Sequence, residues 1–181
     1  SSDLRGVFHR HAIARHLDEP CPVQPVQHET NRRLADRQLA PAIQKEFRLG
    51  YAPDDRSALR SHLADKGVAV EQMAEAGLVI SGDDIPVAYD RFRDRVMFPI
   101  RDRRGRVISF GGRILGDGQP KYVNGPETAV FSKRRTLFAL DLARTGVRSG
   151  RKLVVVEGYM DVVALAQWGF PNAVATLGTA C

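Results

Sequence analysis

Residues 152–165 read KLVVVEGYMDVVAL, and two carboxylates stand at the seam between an apolar β-branched run and a second apolar segment. Glu157 ends the first run, Gly158 follows, and Asp161 opens the next. In an open parallel α/β sheet, functional groups gather where strands end and crossovers begin. An acid placed there can hold Mg²⁺, which takes oxygen ligands and usually shares them with substrate phosphates. Two such ions can clamp the attacking and leaving oxygens of a phosphoryl transfer. Plainer readings compete with this one. Asp161 can cap free N–H groups at a helix start, and Glu157 can be a solvated loop residue. The spacing alone does not separate these alternatives.

A second chemistry lies upstream. Between Arg91 and Arg135 there are twelve Lys or Arg residues against four acids, a local net of +8 in a chain whose total is +6. A concentrated positive field attracts polyanions, nucleic acid first among them. The bland account is a solvated face with exposed ion pairs to Asp94 and Asp102, each of little energetic worth. That account suits single arginines better than the whole cluster.

The elements that must carry these groups can be read from periodicity and punctuation. RVMFPIRDRRGRVISFGGRIL holds two apolar runs, Val96–Ile100 and Val107–Ile114, around a charged connection, and predicts a hairpin with a long loop. Pro99 demotes the first strand to an edge or a bulge. Lys121–Val123 predicts another short strand, and Leu137–Thr145 a helix stopped by Gly146. LVVV lacks alternation and predicts a buried strand. MDVVALAQW predicts a helix ended by Gly169, and PNAVATLG a further strand. Strand, helix, strand in that order predicts a parallel α/β unit. Before these elements, Asn31–Glu46 has helical periodicity interrupted by Pro41. APDDRSALRSHLADKG predicts a helix starting at Asp54–Asp55 and ending near Gly67, and VEQMAEAG a short helix closed by Gly77. Residues 1–30, with three prolines in EPCPVQPVQHET, have tail or linker composition.

Composition narrows the class. At 43% hydrophobic residues the chain can build a core. It has no apolar run of the roughly 20 residues that a membrane span needs, and no signal peptide. Cys21 and Cys181 are far apart without C-x-x-C spacing, which argues against a zinc knuckle or a disulfide scaffold and fits a reducing cytoplasm. His9, His11 and His16 lack matched ligands and suit a solvated basic tail.

FRLGYAP, DRVMFPIRDRRGRVISFGGRIL, PKYVNGPET, VFSKRRTLFALDLAR, VVVEGYMDVVAL and ATLGTA, in that order, resemble the catalytic core of bacterial DNA primase of the DnaG type. The resemblance spans about residues 43–180, and EGYMD looks like the first acidic motif of the Toprim fold. It implies an α+β chain: a tail over 1–30, a small mixed helical/β basic subdomain over 31–150, and an incomplete parallel α/β Toprim subdomain over 151–181. It implies short RNA primers made on a single-stranded DNA template from ribonucleoside triphosphates, with Mg²⁺ or Mn²⁺ as cofactor, in the bacterial cytoplasm. Glu157 would be the metal-associated or acid/base glutamate and Asp161 would support the same site. Arg113, Lys121, Tyr122, Asn124 and Lys133 would face template and nucleotides. The Gly111–Gly112 pair would let a phosphate backbone approach Arg113, and Tyr122 beside Lys121 could stack on a base. The family's zinc belongs to an N-terminal domain for which this chain has no ligand set. Its replicative-helicase partner is reached through a domain not present in these 181 residues. The family's later D-x-D pair is not found before Cys181, so the chain is expected to have little or no activity alone. The competing expectation is a non-catalytic module that binds single-stranded nucleic acid.

Overall fold

A computed structural model describes Leu34, residues 39–114 and residues 116–178. The expected tail over 1–30, its histidines and residues 31–33 and 35–38 of the helix expected from Asn31 lie outside the described residues. Leu34 is helical, Leu39 and Ala40 are not, and Pro41 opens helix α1 (Pro41–Phe47), so the expected break falls just before the proline. The ring's fixed φ suits a first helical position, where the missing N–H has no intrahelical partner to lose. Strand β1 (Gly50–Ala52) follows.

Helices α2 (Ala58–Asp65) and α3 (Val70–Glu75) come next, then the two-residue strands β2 (Val79–Ile80) and β3 (Tyr89–Asp90). Helix α2 starts three residues later than the acidic pair suggests. Asp55 accepts from the Ser57 N–H at 2.6 Å and so shapes the turn before the helix. The free N–H groups of the helix are met instead by Asp90 from β3: Leu59 N–H donates at 2.7 Å and Arg60 N–H at 2.9 Å. Leu63, Val68, Met73, Leu78 and Val79 bury a small core of their own beneath these helices.

The basic hairpin consists of β4 (Arg95–Arg101) and β5 (Val107–Arg113), close to the expected bounds. With β6 (Tyr122–Asn124) they form an antiparallel sheet in the order β1-β4-β5-β6. Strand β4 is therefore interior, although Pro99 sits in it. The contradiction is only apparent, because β1 pairs with β4 over Arg95–Met97 alone and the β4–β5 register shifts between Ile100 and Arg101. Pro99 lies beyond the β1 pairing and beside that irregularity, so the missing N–H leaves no ladder bond unmade. The turn is held by Asp102, which accepts from Arg104 N–H, Arg106 N–H and the Arg106 guanidinium.

A 3₁₀ turn over Lys133–Arg135 leads into β7 (Leu137–Phe138) and α4 (Leu140–Arg148). The expected helix thus loses its first residues to a strand and runs through Gly146. That glycine packs instead of stopping the helix: a Cβ there would lie 3.1 Å from Asn172 Cβ. Strand β8 (Val154–Val156), helix α5 (Tyr159–Gln167) and strand β9 (Ala173–Thr176) follow. β8 and β9 are parallel in register Val154↔Ala173, and β7 joins antiparallel, giving the order β7-β9-β8. The chain is α+β, with the parallel strand–helix–strand unit that the sequence predicts. β8 is not buried as expected: Val155 is 58% exposed, and β8 is an edge strand of this sheet. β9, between its neighbours, is the buried strand.

One core fastens the two sheets together. It includes Phe47, Val96, Phe98, Ile100, Phe131, Phe138, Tyr159, Val162, Val163 and Leu177. Each large side chain fully buried there contributes about 1.5–3 kcal/mol.

Candidate functional site

Glu157 stands directly after β8 and Asp161 in the first turn of α5, both exposed. Among the described residues neither carboxylate has a hydrogen-bond partner in the protein, so neither acts as a cap. Gly158 lies between them in extended backbone. A Cβ on Gly158 would sit 2.9 Å from Asp161 Oδ2 and 4.0 Å from the Tyr122 hydroxyl. The acid seam and the end of β6 are therefore within one side chain's reach.

On the basic side, Arg113 and Tyr122 are cross-strand partners, and the Arg113 guanidinium lies 5.0 Å from the Tyr122 ring centroid. Lys121 and Tyr122 are exposed beside it. A cation over an aromatic face, next to a second cation, suits a base with its phosphate. Tyr122 thus reaches the seam holding Glu157 and Asp161, with Arg113 against its ring and Lys121 next to it in the chain.

Asn124 is placed differently from the expectation. Its Oδ1 accepts from the Tyr159 hydroxyl at 2.6 Å and its Nδ2 donates to the Leu177 carbonyl at 2.8 Å. Its amide is engaged by protein on both sides. Lys133 begins the 3₁₀ turn between the sheets, and its N–H donates to Glu127 Oε1 at 2.9 Å. That N–H, the nearby Ser132 hydroxyl and the charges of Lys133 and Arg134 hold the Glu127 carboxyl below its ordinary range.

The glycine pair does not open a path for phosphate. A Cβ at Gly111 would meet the Tyr159 ring at 2.5 Å, and one at Gly112 would meet Phe92 at 2.9 Å and Arg95 at 3.1 Å. Both glycines are buried, and the space they leave is filled by protein side chains. The basic cluster also divides. Arg95 is buried and donates to the Pro120 carbonyl at 2.8 Å, strapping down the segment that leads to Lys121. Arg91 donates to Gly77 O, Arg101 pairs with Asp141 at 3.1 Å, and Arg106 with Asp102 at 2.7 Å. Arg103, Arg104, Arg134 and Arg135 remain exposed alongside Lys121.

Sequence reasoning misses Tyr159. Its ring stacks on Phe98 at 5.1 Å and meets the edge of Phe138 at 4.9 Å. Burial, and then the neighbouring Tyr122, push its hydroxyl pKa far above the ordinary tyrosine value, so the phenol keeps its proton. The available signal was an aromatic residue between the two acids, at the first position of an otherwise aliphatic helix.

The donor set fits part of a divalent-cation shell. Two exposed carboxylates suffice where water and substrate phosphates complete an octahedron. Among the described residues there is no group of three or more His, Cys, Asp or Glu that could hold a metal by itself. Nor is any described helix long and apolar enough to cross a membrane.

Against this geometry stand the comparisons with known proteins. The family model for the DNA primase catalytic core, N-terminal domain, matches residues 23–144, and the Toprim domain model matches residues 151–181. A DNA primase of Pseudomonas aeruginosa is 48% identical over 173 residues, covering 96% of this chain and 25% of the relative. One from Deinococcus radiodurans is 52% identical over 149 residues, covering 82% and 25%. Among solved structures, a DnaG primase catalytic domain bound to ssDNA superposes with a TM-score of 0.84 at 41% identity. It covers 97% of this chain and 56% of that one. A DNA primase domain from Pseudomonas aeruginosa gives 0.78 at 47% identity, covering 94% and 53%. The chain spans about a quarter of the length of these curated relatives.

Proposed function

The chain belongs to the DNA primase catalytic-core family, and from that membership we propose that it holds single-stranded template and ribonucleotides for the synthesis of short RNA primers. The observation that carries this reading is the 4.0 Å between the Tyr122 hydroxyl and the Cβ position of Gly158, which sets the basic strand against the acid seam. In the whole protein a primer 3′-hydroxyl attacks the α-phosphate of an incoming ribonucleoside triphosphate and pyrophosphate leaves. Arg113 and Lys121 hold phosphate charge, and Tyr122 offers a face for a base. Glu157, with Asp161, would hold Mg²⁺ or Mn²⁺, which would neutralise charge developing on the phosphates when bound. In this reading the helicase partner and the family's zinc belong to other parts of such a protein, and the work is done in the bacterial cytoplasm.

The DnaG catalytic domain with ssDNA bound supports the template assignment for its relative here. A second reading keeps the binding and omits turnover. It is favoured by the absence, among the described residues, of a third acid at the seam. Nucleotide incorporation by the whole protein separates the two; the 181-residue chain alone is expected, on either reading, to bind template and to extend primers little or not at all.

A labelled single-stranded oligonucleotide, titrated at several salt concentrations, tests the binding surface. Arg113→Ala with Lys121→Ala is expected to weaken binding and to flatten the log–log salt slope by about 1 to 1.5, two phosphate contacts' worth on a single strand. An unchanged slope removes these two residues from the interface.

A further inference from the structure

The acid seam and the basic strand belong to different sheets, and an uncharged bridge joins them. The Tyr159 hydroxyl donates to Asn124 Oδ1, and Asn124 Nδ2 donates to the carbonyl of Leu177. Tyr159 lies two residues after Glu157 and two before Asp161, while Leu177 directly follows β9. One amide on β6 therefore reaches the carboxyl-terminal ends of both parallel strands. Those ends form the edge at which open α/β sheets place their ligands. The phenol is held as well as bonded. Phe98 stacks on its ring at 5.1 Å, Phe138 abuts it at 4.9 Å, and the missing side chain of Gly111 leaves the gap it fills.

We infer that Tyr159 and Asn124 are a positioning pair, which fixes the separation between the acid seam and the basic strand so that one nucleotide's phosphates meet both. The inference rests on the function proposed above and reassigns Asn124 from ligand contact to support. A side chain that touches ligand keeps its polar atoms toward the ligand; Asn124 turns one atom to α5 and another to the loop after β9. The arrangement matters because positioning errors near 1 Å can cost about a hundredfold in rate. The residues that would hold phosphate, Arg113 and Lys121, make no ion pair with Glu157 or Asp161 among the described residues. The separation is set by the neutral bridge and not by attraction between the charged groups themselves.

Two measurements on the 181-residue chain test this. In a Cys21→Ser/Cys181→Ser background, nitroxides at Lys121→Cys and Trp168→Cys report the distance between the basic strand and α5 by pulsed electron resonance. Asn124→Ala and Tyr159→Phe are each expected at least to double the width of that distance distribution. Leu63→Ala, a comparably damaging change in the separate small core, is expected to leave it narrow. Tyr159→Phe keeps the ring and so keeps the aromatic packing. The second measurement is the rise in affinity for a fluorescent ATP analogue on adding Mn²⁺ at fixed ionic strength. Tyr159→Phe is expected to cut that rise at least threefold while the Mn²⁺-free affinity stays within twofold, a split that simple loss of folded protein does not produce. Parental widths in both variants, or a full Mn²⁺ rise in Tyr159→Phe, overturn the inference. If Glu157→Gln leaves the rise intact, the metal role proposed for the seam is what has failed, and the widths alone then decide on the positioning pair.

Discussion

Replacing Gly111 by Ala tests the way the two sheets lock together, because the local and tertiary expectations have opposite signs. Gly111 lies in the interior of β5, paired with Phe98 and Asn124. Its backbone is not among the positive-φ positions, so alanine can adopt it. Taken locally, the substitution should stabilise by about 0.5–1 kcal/mol, since the unfolded chain loses freedom. Tertiary structure reverses this. The new Cβ would lie 2.5 Å from Tyr159 Cζ, 2.6 Å from its hydroxyl oxygen and 2.7 Å from Cε2. Carbon atoms settle near 3.5–4.0 Å, so the ring must retreat by about 1 Å. Phe98 and Phe138 pack against that ring, and all three rings are at most 5% exposed. Overpacking a close-packed core costs about 1–3 kcal/mol, and pulling the phenol from Asn124 adds about 1 kcal/mol. After the local gain, the net loss is about 1–3.5 kcal/mol, roughly 5- to 400-fold in the folding equilibrium. Urea unfolding of the chain followed by circular dichroism measures it. At a slope of about 2 kcal/mol/M the midpoint should fall by about 0.5–1.8 M. Tyr159→Leu in the same background should recover part of the loss, with a coupling of at least about 1 kcal/mol in the double-mutant cycle. A neutral or stabilising Gly111→Ala, or simple additivity, would refute the packing argument.

Further outcomes follow from three individual side chains. Arg95→Met keeps the buried stem but removes the donor to Pro120 O, so proteolytic nicking within residues 114–121 should rise and stability fall by about 1–2 kcal/mol. Asp90→Ala uncaps α2 and should cost about 1–2 kcal/mol, measurable by urea unfolding. Burial raises the Asp90 carboxyl above its ordinary value despite the two N–H donors and Arg60. The folded state then holds that proton more tightly than the unfolded one. Its stabilising contribution is present in acid and is lost as pH climbs from the unfolded value of 3.8 through the folded one, so Asp90→Asn should flatten this part of the pH profile. The Glu127 carboxyl is shifted the other way, chiefly by the Lys133 N–H. Its contribution is present above the unfolded value and disappears as pH falls through the folded one. Hydrogen exchange at the Lys133 amide should therefore show acid-induced loss of protection that Glu127→Gln abolishes.

What the sequence discloses here depends on whether a residue's partner is near or far along the chain. The hairpin was legible because its apolar runs and turn acid act locally: Asp102 binds N–H groups two and four residues on. The crossover at Glu157–Gly158 was legible for the same reason. Gly146 was not. A glycine near a helix end looks the same whether it stops the helix or lies against Asn172, 26 positions away. LVVV identified a strand, but a β-branched run carries no record of what covers it, and Val155 proves 58% exposed. Charge counting had the same blind spot. The basic window was real, yet Arg91, Arg95, Arg101 and Arg106 meet carbonyls and carboxylates of the protein itself. Tyr159 was hidden most deeply, since its importance lies in Asn124, 35 residues earlier.

The neutrality of the Tyr159–Asn124 bridge is itself an argument about chemistry. Opposite unit charges 4 Å apart near a protein surface attract by about 4 kcal/mol. Had the sheets been joined by Arg113 to Glu157, the contact would have been strong, but each charge would have been cancelled where it could act on a phosphate or a cation. A phenol and an amide make a bond of about 1 kcal/mol that draws on neither charge. Burial keeps the phenol protonated, so the bridge does not change sign with pH. The sheets then owe their adhesion to Phe98, Phe138 and the neighbouring aliphatic core, and the bridge is left to set register. Among the described residues Arg113 and Lys121 on one side and Glu157 and Asp161 on the other thus form no ion pair with one another, which leaves both signs uncancelled for a ligand that carries both, as a phosphate with a divalent cation does.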